Sequence, residues 1–219
     1  MNADAYAALL NGQAGWLSVR ASPSVPGPGW ISCEAMVSAQ LAGADPTGWW
    51  REKLETAYGA QYQIDPPRQV AAMFVLMWYV GVPLYVATVA SALTGTSPDV
   101  SPGGLAFRLH PTQHYPEEIA LLPGPELAMK EAAAAVLEHC RTFVDSYAPG
   151  AKLGTRQRYG AIADDIRGHL VEATARGAPF AAEAVRAFGA DRTVTVRDSC
   201  CYIYALPGVT ACSTCPRFR

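Results

Sequence analysis

"VAAMFVLMWYVGVPLYVATVASAL", residues 70–93, runs for 24 residues without a formal charge. By length alone the stretch is able to cross a bilayer. Pro83 interrupts it: proline cannot donate to the carbonyl of Tyr79 and its ring clashes with that turn, so a kink or a split into two shorter helices is expected. Tyr79, Tyr85, Thr88 and Ser91 dilute the apolarity, and no basic cluster marks a cytoplasmic flank. The stretch is therefore read as the central core helix of a globular fold. A membrane-associated helix is the less favoured alternative. Just upstream, "DPPRQ" (65–69) carries a helix-start signal, with Asp65 as N-cap and proline in the first turn.

Around that helix the chain reads as further helices at 3–11, 31–42, 47–58, 125–147, 154–175 and 179–188, with a Pro/Gly loop, "SPSVPGPG", at 22–29. Between about 96 and 123 the texture changes to short β-like pieces, "LAFRLH" and "EIALLP", set between Pro and Gly turns. "RTVTVR" (192–197) alternates like a strand. The fold class expected is mainly α with a small β element (α+β), ending in a cysteine-rich segment. Residues 1–190 form the body and 191–219 the C-terminal segment, packed together as one domain.

Composition narrows the function. Of 219 residues, half are hydrophobic and 16% charged, which is a globular balance. A formal net charge of -2 offers no basic face for DNA or RNA. Residues 1–20, "MNADAYAALLNGQAGWLSVR", lack a basic n-region followed by an apolar h-region, so the expected location is the cytoplasm. In that reducing compartment, clustered thiols bind metal or do redox chemistry more often than they form structural disulfides.

Such a cluster closes the chain. Cys200 and Cys201 are adjacent, ten residues separate them from Cys212, and two more lead to Cys215. A C-x2-C pair lets two thiolates converge from a tight turn, and a second pair completes a four-thiolate site, which zinc and iron-sulfur centres both accept. Neighbouring side chains in an extended chain point to opposite faces. Cys200 and Cys201 thus reach one centre only if the backbone bends sharply or the centre is larger than one ion, and a two-iron cluster gives more room than a single zinc.

The same residues carry a resemblance. "RDSCCYIYALPGVTACSTCP" (197–216) resembles the C-terminal signature of the FhuF-like ferric-siderophore reductase family, C-C-x10-C-x2-C, with Arg197 and Ser199 before it and Pro216 after it. "TSPDVSPGGLAFRLHP" (96–111), following an alanine-rich helix, resembles the actinobacterial-type branch. The chain departs from the family pattern in having Tyr159-Gly160 where Trp-Gly is common, no matching Asn in that helix, and Ser213-Thr214 inside the last cysteine pair. The resemblance implies that Cys200, Cys201, Cys212 and Cys215 ligate a [2Fe-2S] cluster. It further implies that residues 1–190 bind a ferric siderophore, hydroxamate type favoured, whose Fe(III) is reduced by one electron and released as Fe(II) in the cytoplasm. The alternatives are a non-enzymatic iron-sulfur protein that senses redox state or carries electrons, and a zinc-stabilised binding module. No Gly-x-Gly-x-x-Gly follows a strand, so electrons are expected from a partner such as a ferredoxin or a flavoprotein reductase. No catalytic residue beyond the cluster ligands is expected.

Other residues have plainer readings. Cys33 and Cys140 are expected in the core. His139 is not expected to share a metal with its neighbour Cys140. His110 and His114 flank prolines that oppose a helical His-x3-His site, which leaves surface histidines. Asp164 and Asp165 read as polar helix-face residues rather than contacts to a ligand, and Trp49 and Trp50 as packing aromatics rather than a siderophore platform. Arg192, Arg197, Arg217 and Arg219 surround the cysteines and would meet an acidic donor, stabilise a reduced cluster, or simply be solvated.

Overall fold

A computed structural model describes residues 1–190 and 196–218 of the chain. Among these residues there are seven helices and six short strands. Arg68–Thr94 forms α4, and α1 (Ala3–Asn11), α3 (Gly48–Tyr62), α5 (Met129–Ser146), α6 (Thr155–Ala175) and α7 (Ala181–Ala187) all pack on it, while α2 (Cys33–Leu41) packs on α5. Helix α4 is long and apolar enough to cross a membrane, yet 78% of its most apolar window is buried inside the protein. Its apolar surface is thus the core of this fold, as the 70–93 stretch led us to expect.

Of the kink or split expected at Pro83, the split does not occur, and the expected N-cap is corrected. The helix runs through Pro83 as one element. Losing one helical hydrogen bond and crowding a turn costs about 3 kcal/mol. The fully buried neighbours Leu84 and Val86 each contribute about 1.5–3 kcal/mol by burial, so packing outweighs the break. The helix also begins at Arg68 with Pro67, not Asp65, at the N-cap. A residue before proline is driven out of the α region, and Asp65 and Pro66 each precede one. At the other end Gly95 caps the helix at φ 80°, a conformation that favours glycine, and donates to Ser91 O at 2.9 Å.

The β element is larger than 96–123. Strands β4 (Leu105–Leu109) and β5 (Pro116–Leu121) are the predicted pieces and pair antiparallel, but β1 (Ser18–Ala21) joins β5 in parallel and β2 (Trp30–Ser32) joins β4, giving the order β1-β5-β4-β2. Trp30–Ser32, part of which was assigned to a helix, is therefore strand. Helix α2 starts only at Cys33, with Ser32 Oγ accepting from Ala35 N. Helix α5 likewise starts at Met129, because Leu127–Ala128 (β6) pairs with Thr96–Ser97 (β3), and Glu131 reaches back to accept from Ala128 N at 2.9 Å. Most of "RTVTVR" lies outside the described residues.

The sheet's inner face, with Phe107, Ile119 and Leu121, joins α4 in one hydrophobic core. Cys33 and Cys140 are fully buried there. His139 is buried and held between Tyr79 Oη at 2.9 Å and Val100 O at 2.8 Å, and burial pushes its pKa down to about 4. Cys33 and Cys140 are core, as expected, and His139 is buried beside them.

Candidate metal centre

Helix α6 presents Gln157, Gly160, Asp164 and Arg167 along one stripe, at spacings of three, four and three residues that fall on one helical face. The C-terminal segment lies on this stripe. Asp164, with a side chain only 3% exposed, accepts from Asp198 N at 2.9 Å, Ser199 N at 2.8 Å and Ser199 Oγ at 2.6 Å. It is also ion-paired to Arg167 and Arg197. Gln157 Oε1 accepts from Cys200 N at 2.6 Å. At Gly160 the backbones meet so closely that a Cβ would stand 2.8 Å from Asp198 C and 2.9 Å from Ser199 N. A buried carboxylate taking several backbone and charged donors is a strong local anchor. It fixes the chain immediately before the first cysteine pair.

Beyond that anchor the chain turns sharply. Tyr202 adopts a left-handed conformation, φ 59° and ψ 7°, followed by a 3-10 turn at Ile203–Ala205. This turn redirects the chain just after the first cysteine pair. The C-x2-C turn is closed by Cys215 N donating to Cys212 O at 2.9 Å. The thiols act on one another electrostatically: Cys215 and Cys201 both push the Cys200 thiol up, and Cys212 pushes up that of Cys201. All are free thiols; Cys200, Cys201 and Cys215 are buried, and Cys212 is half-buried. Among the described residues, no three His, Cys, Asp or Glu side chains are grouped so as to hold a metal ion.

Residues 197–217 match the FhuF 2Fe-2S C-terminal domain. The cofactor of this FhuF-type segment is accordingly a [2Fe-2S] cluster. No curated protein matches the chain.

The residues present fit that group. Four thiols in one short segment suit a four-thiolate iron-sulfur centre, which Cys200, Cys201, Cys212 and Cys215 would hold. Burial pushes the Cys200 and Cys201 thiols up, offset in part by the Tyr202 and Ile203 backbone N–H groups aimed at their sulfurs. Tyr202 N lies 3.5 Å from Cys200 Sγ, and Thr214 Oγ1 lies 3.9 Å from Cys212 Sγ. Thiolates buried in this way need compensating positive charge, and a metal centre supplies it. Hydrogen bonds to sulfur are among the groups that set a cluster's potential.

The arginines divide. Arg197 turns inward, its Nη2 3.4 Å from Ser199 Oγ and 3.9 Å from Met77 Sδ, and its charge acts on Cys201. Arg217 stands exposed, 4.1 Å above the Tyr204 ring. Arg192 and Arg219 lie outside the described residues.

Elsewhere the two histidines are half-buried turn residues, and Asp164 departs from its expected role. His110 Nδ1 accepts from Gln113 N at 3.1 Å, while His114 sits at φ 61°, so both build the β4–β5 turn. Asp164 is no ordinary polar helix residue, since it is the buried anchor of the segment. Trp50 is a fully buried packing aromatic, whereas Trp49 is 40% exposed and stacks on it. Gln157 and Arg167 were missed by sequence reasoning, and Gly160 was noted there only within the Tyr159-Gly160 pair. Their signal was a polar, glycine-containing stripe on the last long helix before the cysteines.

Proposed function

We propose that the protein is a ferric-siderophore reductase of the cytoplasm, in which Cys200, Cys201, Cys212 and Cys215 hold the [2Fe-2S] cluster. The observation that carries this reading is that four free cysteines, acting on one another and anchored against α6, lie within the residues that match the FhuF domain. The 191–219 segment carries the cluster and the 1–190 body carries the substrate. When bound, the cluster supplies electrons one at a time.

Oxygen donors such as hydroxamates hold Fe(III) far more tightly than Fe(II). One electron added to the chelate therefore converts Fe(III) to Fe(II) and loosens the iron without breaking the ligand. That electron originates in a ferredoxin or a flavoprotein reductase. Half-buried Cys212 marks the edge open to such a partner, and exposed Arg217 beside Tyr204 offers positive charge to an acidic donor face. Arg197, close to Cys201, favours the more negative reduced state.

The test is anaerobic purification with iron and sulfide analysis, followed by single turnover against a ferric trihydroxamate. Two irons and two sulfides per chain, bleaching with dithionite and recolouring as Fe(II) appears in a ferrous trap, are expected. A reduced, iron-replete protein that passes no electron to ferric chelates overturns the reductase reading. A colourless protein with one zinc overturns the cluster ligation.

A further inference from the structure

A cleft of about 520 Å3 opens between the β1 end of the sheet, α4 and α6. Its volume lies within the range that holds drug-sized ligands. One wall is aromatic: Trp16, 61% exposed at the rim, meets Tyr115 edge-on at 6.0 Å, and Tyr115 meets Trp78 at 6.4 Å. Across from them Tyr85 offers its ring, because its hydroxyl already donates to Leu10 O at 2.9 Å. Two ionisable side chains line this apolar space, Asp165 and His169, four residues apart on α6.

Both are acceptors in want of a donor. Among the described residues the Asp165 carboxylate makes no hydrogen bond, and the nearest cation acting on it, Arg197, is engaged with Asp164 and Ser199. Thr88 Oγ1 gives its proton to Leu84 O at 2.6 Å and so accepts from His169 Nδ1 at 3.3 Å, which leaves Nε2 as an unprotonated acceptor. An acidic group facing aromatic rings is the setting for an ammonium, which gains from the carboxylate and from the ring faces together. The cleft also adjoins the FhuF-type segment. Met77, Asp165 and His169 line a second hollow as well, whose far side is formed by Arg197 and by Thr214, between the last two cysteines.

We propose that this cleft is the substrate site, and that it takes a ferric chelate with an apolar body and one protonated amine, the amine resting on Asp165 between the aromatic rings. The proposal rests on the reductase reading, and gallium separates the two, since Ga(III) takes the place of Fe(III) in such chelates but cannot be reduced. The probes are the Ga(III) complexes of a linear trihydroxamate with a free terminal amine and of its N-acetylated form, titrated into the full chain while following tryptophan emission.

The amine form is expected to bind about tenfold more tightly than the acetylated one, and Asp165→Asn to erase that preference while changing the acetylated form by less than about twofold. Gly81 lines the cleft, with Asp165 Oδ2 3.5 Å from where its Cβ would stand. Gly81→Leu, which replaces a helical glycine by a good helix former, is expected to weaken both forms about tenfold or more. Equal binding of both forms by the wild-type chain, a preference that survives Asp165→Asn, or wild-type affinity in Gly81→Leu overturns the proposal. If the gallium pattern holds while reduced protein passes no electron to the ferric complex, the cleft stands and the reductase reading falls. If ferric complexes are reduced but the gallium pattern is missing, the reductase reading stands and the cleft falls.

Discussion

Helix α4 is enclosed by apolar neighbours from five other helices and the sheet, whereas the 196–217 segment is anchored on α6 by hydrogen bonds to a few named atoms, with Arg197 also reaching Met77 of α4. Burial is non-directional and spread over many contacts, so the loss of one is shared by the rest. A hydrogen-bonded anchor is directional, and removing one partner leaves the others buried and unsatisfied. The body should therefore tolerate change that the cluster segment does not, and cluster occupancy should be separable from folding.

The largest test of that contrast is Cys212→Ser. We expect complete loss of visible absorbance, iron and sulfide, with the helical circular dichroism of the body retained. Loss of helicity in parallel would mean that the segment and the body fold as one inseparable unit. Next comes Gly160→Ala, which places a methyl group against the Asp198–Ser199 backbone. Alanine favours a helix by about 1 kcal/mol over glycine, so α6 itself should gain while the segment is pushed off. Most cluster occupancy should vanish without a fall in Tm, and unchanged iron content would show that the close approach can relax.

Asp164→Asn sharpens the contrast further. It removes the charge that Arg167, Arg197 and the Asp198 and Ser199 amides converge on, and charge-assisted bonds of this kind contribute about 1.5–3 kcal/mol each. Cluster release into a chelator should accelerate about tenfold or more.

A smaller effect follows from pH. Burial pushes the Asp165 carboxyl up to about 7; Arg197 opposes the shift and Asp164 adds to it, and the imidazole of His169, itself held down to about 4 by burial, lines the same cleft as a neutral group. A carboxyl with a raised folded-state pKa favours the native state fully only below its unfolded value near 3.8, and that contribution is lost as pH rises through about 7. Asp165→Asn should thus raise Tm more near pH 8 than near pH 5. An equal gain at both values would place the carboxylate in a solvated setting. The smallest effect is expected of Pro83→Ala: it restores one helical N–H but removes buried methylenes, so Tm should move by only a few degrees and iron content not at all.

Much of this molecule was legible as sequence. The uncharged 70–93 run announced a core helix because enough contiguous apolar surface must be buried somewhere, and the spacing of Cys200, Cys201, Cys212 and Cys215 announced a thiolate centre because ligand chemistry is carried by residue type. Strands β1 and β2 were not legible, since three or four residues carry little periodicity and their partners in β5 and β4 lie far away along the chain. Nor was the continuity of α4 through Pro83, which surrounding helices decide.

The site divides along the same line. Local chemistry, the thiols and their turn, was written in the order of residues. The anchor on Asp164, the close approach at Gly160 and the convergence of Trp16, Trp78, Tyr115 and Asp165 on one cleft depend on which helix faces lie opposite each other. Those juxtapositions arise only when distant segments pack, because the energy of a carboxylate or an aromatic ring depends on its neighbours in space rather than in sequence.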